Sequence, residues 1–313
     1  MRYLLILFLF ISCAEKKQTQ QQNLSVELLL KNQAQLGEGA FWNHATNEFF
    51  WIDIEGKQLH IYNPKSKENT SYNMPSRIGT VVPTTNGKIL VALEDGIYTF
   101  DRLTKKLSQF ASIEADIPTN RFNDGKCDPA GRLWAGTIRM DGTEAAAKLY
   151  SIEGDGSFKE RLDNITISNG IVWSKDAKTM YYIDTPTKKI RAFDYDIKTG
   201  DISNERTAVD IADKIGFPDG MAIDENDKLW VGMWNGNAVI QFDPITGNVM
   251  QKIPVPAHNV TSCAFGGENL STLYITSARM DMTEEELKRF PDAGSVFQVE
   301  LDVKGVKSAL FKM

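Results

Sequence analysis

Six short runs of apolar and aromatic residues recur along the chain: Phe49-Phe50-Trp51-Ile52, Lys88-Ile89-Leu90-Val91, Arg132-Leu133-Trp134-Ala135, Thr179-Met180-Tyr181-Tyr182, Lys228-Leu229-Trp230-Val231 and Thr272-Leu273-Tyr274-Ile275. They repeat about every 40 to 50 residues. Most are followed by a second strand of alternating character, as in Ile97-Tyr98-Thr99-Phe100, Ile190-Arg191-Ala192-Phe193, Val239-Ile240-Gln241-Phe242 and Val296-Phe297-Gln298-Val299. Asn86-Gly87, Pro129-Ala130-Gly131 and Asp224-Glu225-Asn226-Asp227 supply turns between them. Short strands at this period, with almost no helical periodicity, predict an all-β fold: a six-bladed β-propeller of four-stranded antiparallel blades. A β-helix has shorter repeats, and a sandwich does not recur six times. One helix is expected, over Thr283 to Phe290, where Thr283-Glu284-Glu285-Glu286 reads as a capping box and Pro291 follows.

The N-terminus breaks this pattern. Arg2 precedes an apolar run, Tyr3 through Phe10, too short for a membrane span, which needs about 20 residues. It reads as an export signal ending in Phe10-Ile11-Ser12-Cys13. A small residue directly before a cysteine resembles the lipobox of bacterial lipoproteins, which makes Cys13 the candidate lipidated residue of segment 1–13. Residues 14–23 contain no large apolar side chain and are expected to form a flexible polar tether. Residues 24–313, about 290 in all, are enough for one propeller domain with a sizeable core. These features predict export to a bacterial cell envelope, on the periplasmic side, with the membrane contacted only through the Cys13 anchor. The formal net charge is −6 and basic residues are scattered, so no nucleic-acid face is expected. No obligate protein partner is implied. Cys127 and Cys263 form no disulfide framework and read as buried small apolar residues.

Aligning the repeats brings out the candidate chemistry. Glu38, Asn123, Asn169 and Asp219 each lie about ten residues before the aromatic strand of repeats one, three, four and five. In a propeller, equivalent positions are related by rotation about the axis, so four oxygen-bearing side chains are expected to converge on the central channel. Each is followed at once or nearly so by glycine, which permits positive φ and close backbone approach. Asn, Asp and Gly populate turns in any case, so the shared register carries the argument. Two carboxylates at one point repel unless a cation lies between them. All-oxygen ligation in a chain with 3 histidines points to one divalent cation, Ca2+ first, with Mg2+, Mn2+ and Zn2+ left open. His44, His60 and His258 lie in unrelated contexts, and no Gly-x-Ser-x-Gly elbow or phosphate-binding glycine loop occurs.

Together, Leu36-Gly37-Glu38-Gly39, Arg121-Phe122-Asn123-Asp124-Gly125-Lys126, Ser168-Asn169-Gly170, Pro218-Asp219-Gly220-Met221 and Thr261-Ser262-Cys263-Ala264-Phe265-Gly266-Gly267 resemble the SMP-30/gluconolactonase family, close to its regucalcin branch. The likeness runs from Gly37 to about Val306. It implies a metal held by Glu38, Asn169 and Asp219, with Arg121 and Asn123 facing the substrate, and hydrolysis of a small-molecule sugar lactone. Ala40 stands where the family usually has proline. Members often carry a substrate-facing acid after the Ala-Gly-Thr segment, and here Asp141 or Glu144 would fill that role.

The expected mechanism has the cation polarise the lactone carbonyl while water attacks. Asp219 is the candidate catalytic base, because a carboxylate can give one oxygen to the metal and the other to the proton of water. Fold alone does not choose the substrate. The alternatives are a hydrolase of another ester or a phosphotriester, and a non-enzymatic calcium-binding protein.

Overall fold

The structure is a computed structural model and describes residues 24–313. Cys13 and the expected tether over 14–23 lie outside the described residues. Six separate four-stranded antiparallel sheets are arranged in sequence order, as the repeat predicts. Blade 1 consists of Gly37–Asn43, Glu48–Asp53, Gln58–Asn63 and Glu68–Asn73, and blade 2 of Thr80–Pro83, Ile89–Leu93, Gly96–Asp101 and Lys106–Ala111. Blade 3 is Asn120–Cys127, Leu133–Arg139, Ala147–Ile152 and Phe158–Ile165; blade 4 is Ser168–Trp173, Thr179–Asp184, Lys189–Tyr195 and Ile202–Asp210. Blade 5 is Phe217–Ile223, Leu229–Trp234, Ala238–Phe242 and Val249–Pro254. Blade 6 takes Asn259–Gly266, Thr272–Ala278 and Val296–Glu300 from the end of the chain. Its outer strand, Glu27–Leu30, comes from the beginning. That pairing closes the ring by joining the two ends of the propeller chain in one blade.

Burial follows position within each blade. Inner strands are buried almost throughout, whereas outer strands such as Glu68–Asn73 and Ile202–Asp210 are mostly exposed. The recurring aromatic runs are the second strands, and they fill the spaces between blades. Trp51, Trp134 and Trp230 are fully buried, each contributing about 2–3 kcal/mol of apolar transfer. All three are also fastened by their polar edge: Trp51 Nε1 donates to Asn69 Oδ1 at 3.3 Å, Trp134 Nε1 to Asp128 Oδ2 at 3.0 Å and Trp230 Nε1 to Asp224 Oδ2 at 2.9 Å. The helix Glu284–Arg289 forms with Thr283 as its N-cap and the reciprocal Thr283–Glu286 capping box. Cys127 and Cys263 are buried free thiols.

All six inner strands start at one end of the channel and finish at the other. A C-terminal strap crosses the finishing end: Val306 N donates to Ile223 O, and Phe311 exchanges hydrogen bonds with Pro83 O and Thr85 N. Phe311 is fully buried against Phe110 in an edge-on contact. The starting end stays open and carries the candidate site.

Candidate active site

The inner strands are not regular where they enter the channel. In blades 1, 3, 4 and 5 the ladder breaks between Glu38 and Phe41, Phe122 and Gly125, Ser168 and Ile171, and Pro218 and Met221. Glu38, Asn123, Asn169 and Asp219 stand at these breaks. A bulge of this kind re-aims a side chain that regular pleating would send elsewhere. The glycines that follow have two different reasons. Only Gly39 has positive φ, at 62°. Gly170 and Gly220 allow adjacent inner strands to touch: a Cβ on Gly170 would sit 2.7 Å from Asp219 O, and one on Gly220 would collide with Ser262.

Glu38, Arg121, Asn123, Asn169 and Asp219 all line one cavity of 360 Å3. Its walls include Ile138, Ile167, Phe217, Trp234 and Met280. A further 460 Å3 opens beside it past Arg121, toward Arg77, Glu55 and Met140. Asp141 and Glu144 lie outside this lining. Both are exposed, and Asp141 accepts from Arg139 Nε at 3.0 Å and from Thr143 N. Another cavity, of 280 Å3, lies at the strap end around Lys126, Trp173, Phe265 and Lys307, and has no comparable group of acids and amides.

A directed chain of hydrogen bonds orients the polar side chains. Arg121 Nη1 donates to Asn123 Oδ1 at 2.8 Å, and Asn123 Nδ2 donates to Asn169 Oδ1 at 3.2 Å and Ser168 O at 2.7 Å. Asn169 Nδ2 donates to Thr185 Oγ1 at 2.9 Å, which in turn donates to Pro218 O at 2.8 Å. Among the described residues Arg121 forms no ion pair; its Nη1 also donates to Phe122 O, and its side chain lines the cavity. Burial pulls its guanidinium down to about 10, so it stays charged at neutral pH.

Two positioning residues escape a reading based on the ligand register alone. Asp53 accepts from Leu36 N and Gln35 N, both at 3.1 Å, and Asp184 accepts from Ile167 N at 2.9 Å and from Thr166 N. Each carboxylate thus ties down the two residues that lead into a bulge, below Glu38 in one blade and Asn169 in the other. Their signal was present as the repeated endings Trp51-Ile52-Asp53 and Tyr182-Ile183-Asp184. Thr185 has no such repeat.

The carboxyl groups are electrostatically strained. Burial first, then the nearby Asp124, pushes Glu38 up to about 8. Burial first, then Glu38 and Asp124, pushes Asp219 well above the usual carboxylate range. Asp219 Oδ1 is buried without any hydrogen-bond partner. An orphaned carboxylate oxygen beside a second buried acid and a fixed amide oxygen is the donor set a hard cation satisfies. No three His, Cys, Asp or Glu side chains converge as a metal cluster among the described residues; the third oxygen at this point is the Asn169 amide.

The model of the SMP-30/gluconolactonase/LRE-like region matches residues 36–279, which take in every bulge residue above. The chain belongs to this family. Within the SMP-30/gluconolactonase group it is 39% identical over 287 residues to regucalcin of Danio rerio, covering 91% of this chain and 97% of that protein. YvrE of Bacillus subtilis (strain 168), provisionally named a sugar lactone lactonase, is 39% identical over 278 residues, 89% of this chain and 95% of YvrE. The crystal structure of regucalcin from Agrobacterium tumefaciens, described as a calcium-binding protein, superposes with a TM-score of 0.89 at 28% identity, covering 93% of this chain and 98% of that one.

Proposed function

We propose that this SMP-30/gluconolactonase family member is a metal-dependent lactonase that opens a sugar lactone with water. The observation that carries the reading is the unpartnered Asp219 Oδ1, buried in a cavity that Glu38 and Arg121 also line. The lactonase name of YvrE and the calcium-binding description of the Agrobacterium relative support the same reading.

Glu38, Asn169 and Asp219 would hold the ion, with Ca2+ the first choice from the all-oxygen donors. When bound, the ion supplies Lewis-acid polarisation of the scissile carbonyl. Arg121 and Asn123 orient the lactone through its hydroxyls and ring ester, and the walls formed by Ile138, Phe217 and Trp234 exclude bulk water. Asp219 accepts a proton as the oxygen of water bonds to the acyl carbon. When the ring C–O bond breaks, that proton passes to the departing ring oxygen, leaving a hydroxy acid that ionises at neutral pH. Asp141 and Glu144 are exposed and outside the cavity lining, so the positioning of the lactone ring rests on Arg121 and Asn123.

The test is proton release from glucono-1,5-lactone by the full chain, before and after chelation. The proposal expects turnover that disappears with chelator and returns on adding Ca2+ or another divalent ion. Cation binding without turnover of any lactone would favour a binding protein instead.

A further inference from the structure

The rim opposite the site carries a feature that neither folding nor the reaction uses. On that rim the third and fourth strands of each blade are joined by turns, four of them built alike. Asn63 Oδ1 accepts from Lys65 N at 2.9 Å, Asp101 Oδ1 from Leu103 N at 2.9 Å, Asp196 Oδ1 from Lys198 N at 2.8 Å and Asp243 Oδ1 from Ile245 N at 3.0 Å. The side-chain oxygen fixes the turn and pushes the residue two positions on into solvent. Two of those tips are lysines and two are large aliphatics: Leu103 is 88% exposed and Ile245 is 84% exposed, with Ile197, beside Lys198, at 41%. Any polar residue would satisfy the same turn. Because the blades are rotational copies, these tips stand at similar height along the axis and can meet a flat surface together.

Two observations say what that surface is. Leu24, the first described residue, packs on this rim beside Asp302 and Val303, so the N-terminal segment leaves from it. Cys13 lies eleven residues earlier, a reach of at most about 40 Å fully extended. The charge also differs between the two ends. On the strap rim exposed lysines, among them Lys65, Lys67, Lys105 and Lys198, outnumber exposed acids such as Asp196 and Asp302, whereas on the site rim exposed acids, among them Asp116, Asp141, Asp213 and Glu284, outnumber cations such as Lys57 and Lys214. An anionic headgroup layer attracts the first rim and repels the second.

We propose that the rim bearing Leu103, Ile197 and Ile245 rests in the headgroup region of an anionic membrane to which Cys13 tethers the chain, with the site mouth facing the water. The inference does not depend on the reaction at the site. It uses the interfacial principle that exposed aliphatic side chains with flanking lysines seat a surface in the headgroup layer, so a chain held there by its anchor takes one orientation.

The experiment uses the full, exported chain in vesicles of phosphatidylethanolamine and phosphatidylglycerol. A fluorescent label is placed at Ile197→Cys or at Glu284→Cys, since Cys127 and Cys263 are buried. The label at 197 is expected to be quenched by nitroxide-bearing lipid and shielded from iodide, and the label at 284 to behave in the opposite way. Adding Leu103→Ser and Ile245→Ser should reduce lipid quenching at 197 by about threefold or more, with lactone turnover and Tm unchanged. Iodide access at both positions without lipid quenching, or lipid quenching at 284, would overturn the proposal. Shielding at 197 that appears only when envelope proteins are added would overturn it too, in favour of a protein partner.

Discussion

Blades 2 and 5 send inner strands into the same channel, yet only one of them contributes to the site. In blade 2 the pairing runs unbroken from Thr80↔Ala92 to Pro83↔Ile89, and no residue of that strand lines the cavity. In blade 5 it jumps from Pro218↔Met233 to Met221↔Val231, and Asp219 stands in the gap. Blade 6 lies between these cases. Its ladder also breaks, between Val260 and Cys263, but the Thr261 hydroxyl is spent on Gly37 O and Thr276 Oγ1, and Ser262 brings neither an acid nor an amide. The difference teaches that a bulge supplies a place on the axis, and an acid or amide lining the cavity there turns that place into a ligand position.

The largest effect should come from neutralising the two buried acids. Asp219→Asn and Glu38→Gln should each lower kcat for glucono-1,5-lactone by about 10^3-fold with the fold retained, whereas Thr80→Val in the regular blade should cost less than about tenfold. Initial rates of proton release, with thermal unfolding as a check on folding, decide this. Next comes the contact between bulges. Gly170→Ala forces a Cβ against Asp219 O and should destabilise by about 2–3 kcal/mol. Gly87→Ala meets no neighbour and should cost about 1 kcal/mol, from its positive φ alone. Denaturant titration of both variants compares the two causes directly.

A smaller effect concerns pH. Glu38 has a folded value near 8 against an ordinary 4.5, so between these limits the metal-free folded chain binds more protons than the unfolded one. Stability is therefore greatest below the lower value and falls as pH rises toward the upper one. Without cation, Tm should drop by about 5 °C from pH 5 to pH 8, and saturating Ca2+ should reverse the trend. A metal-free Tm that rises over this range would show that the acids are not strained as described.

The blade repeat was legible because its second strands are aromatic, buried and evenly spaced, and the ligand register followed from counting back from them. Glu38, Asn123, Asn169 and Asp219 come together in one cavity for that reason, and Arg121, offered only by the family resemblance, lines it with them. Less was legible where the cause is contact between distant segments. The closing strand Glu27–Leu30 and the strap through Phe311 depend on where the chain ends meet other blades, which leaves no local pattern. The bulges were hidden because an extra residue in a strand of Gly, Asn and Ala does not disturb hydrophobic alternation. Glycine after a ligand was read as freedom of φ and close backbone approach together; Gly39 uses the first, Gly170 and Gly220 the second, and nothing local in the sequence tells which applies. Asp141 and Glu144 were chosen by order along the chain, while the cavity wall at that loop is Ile138 and Met140.

Calorimetric titration of the metal-free full chain with Ca2+ near pH 6.5, in buffers of different ionisation enthalpy, examines the bulge acids most directly. The account predicts one ion per chain, bound with proton release because Glu38 and Asp219 must ionise to receive it, and no binding to the Glu38→Gln, Asp219→Asn double variant. Binding without proton release, or binding that survives the double substitution, would contradict it.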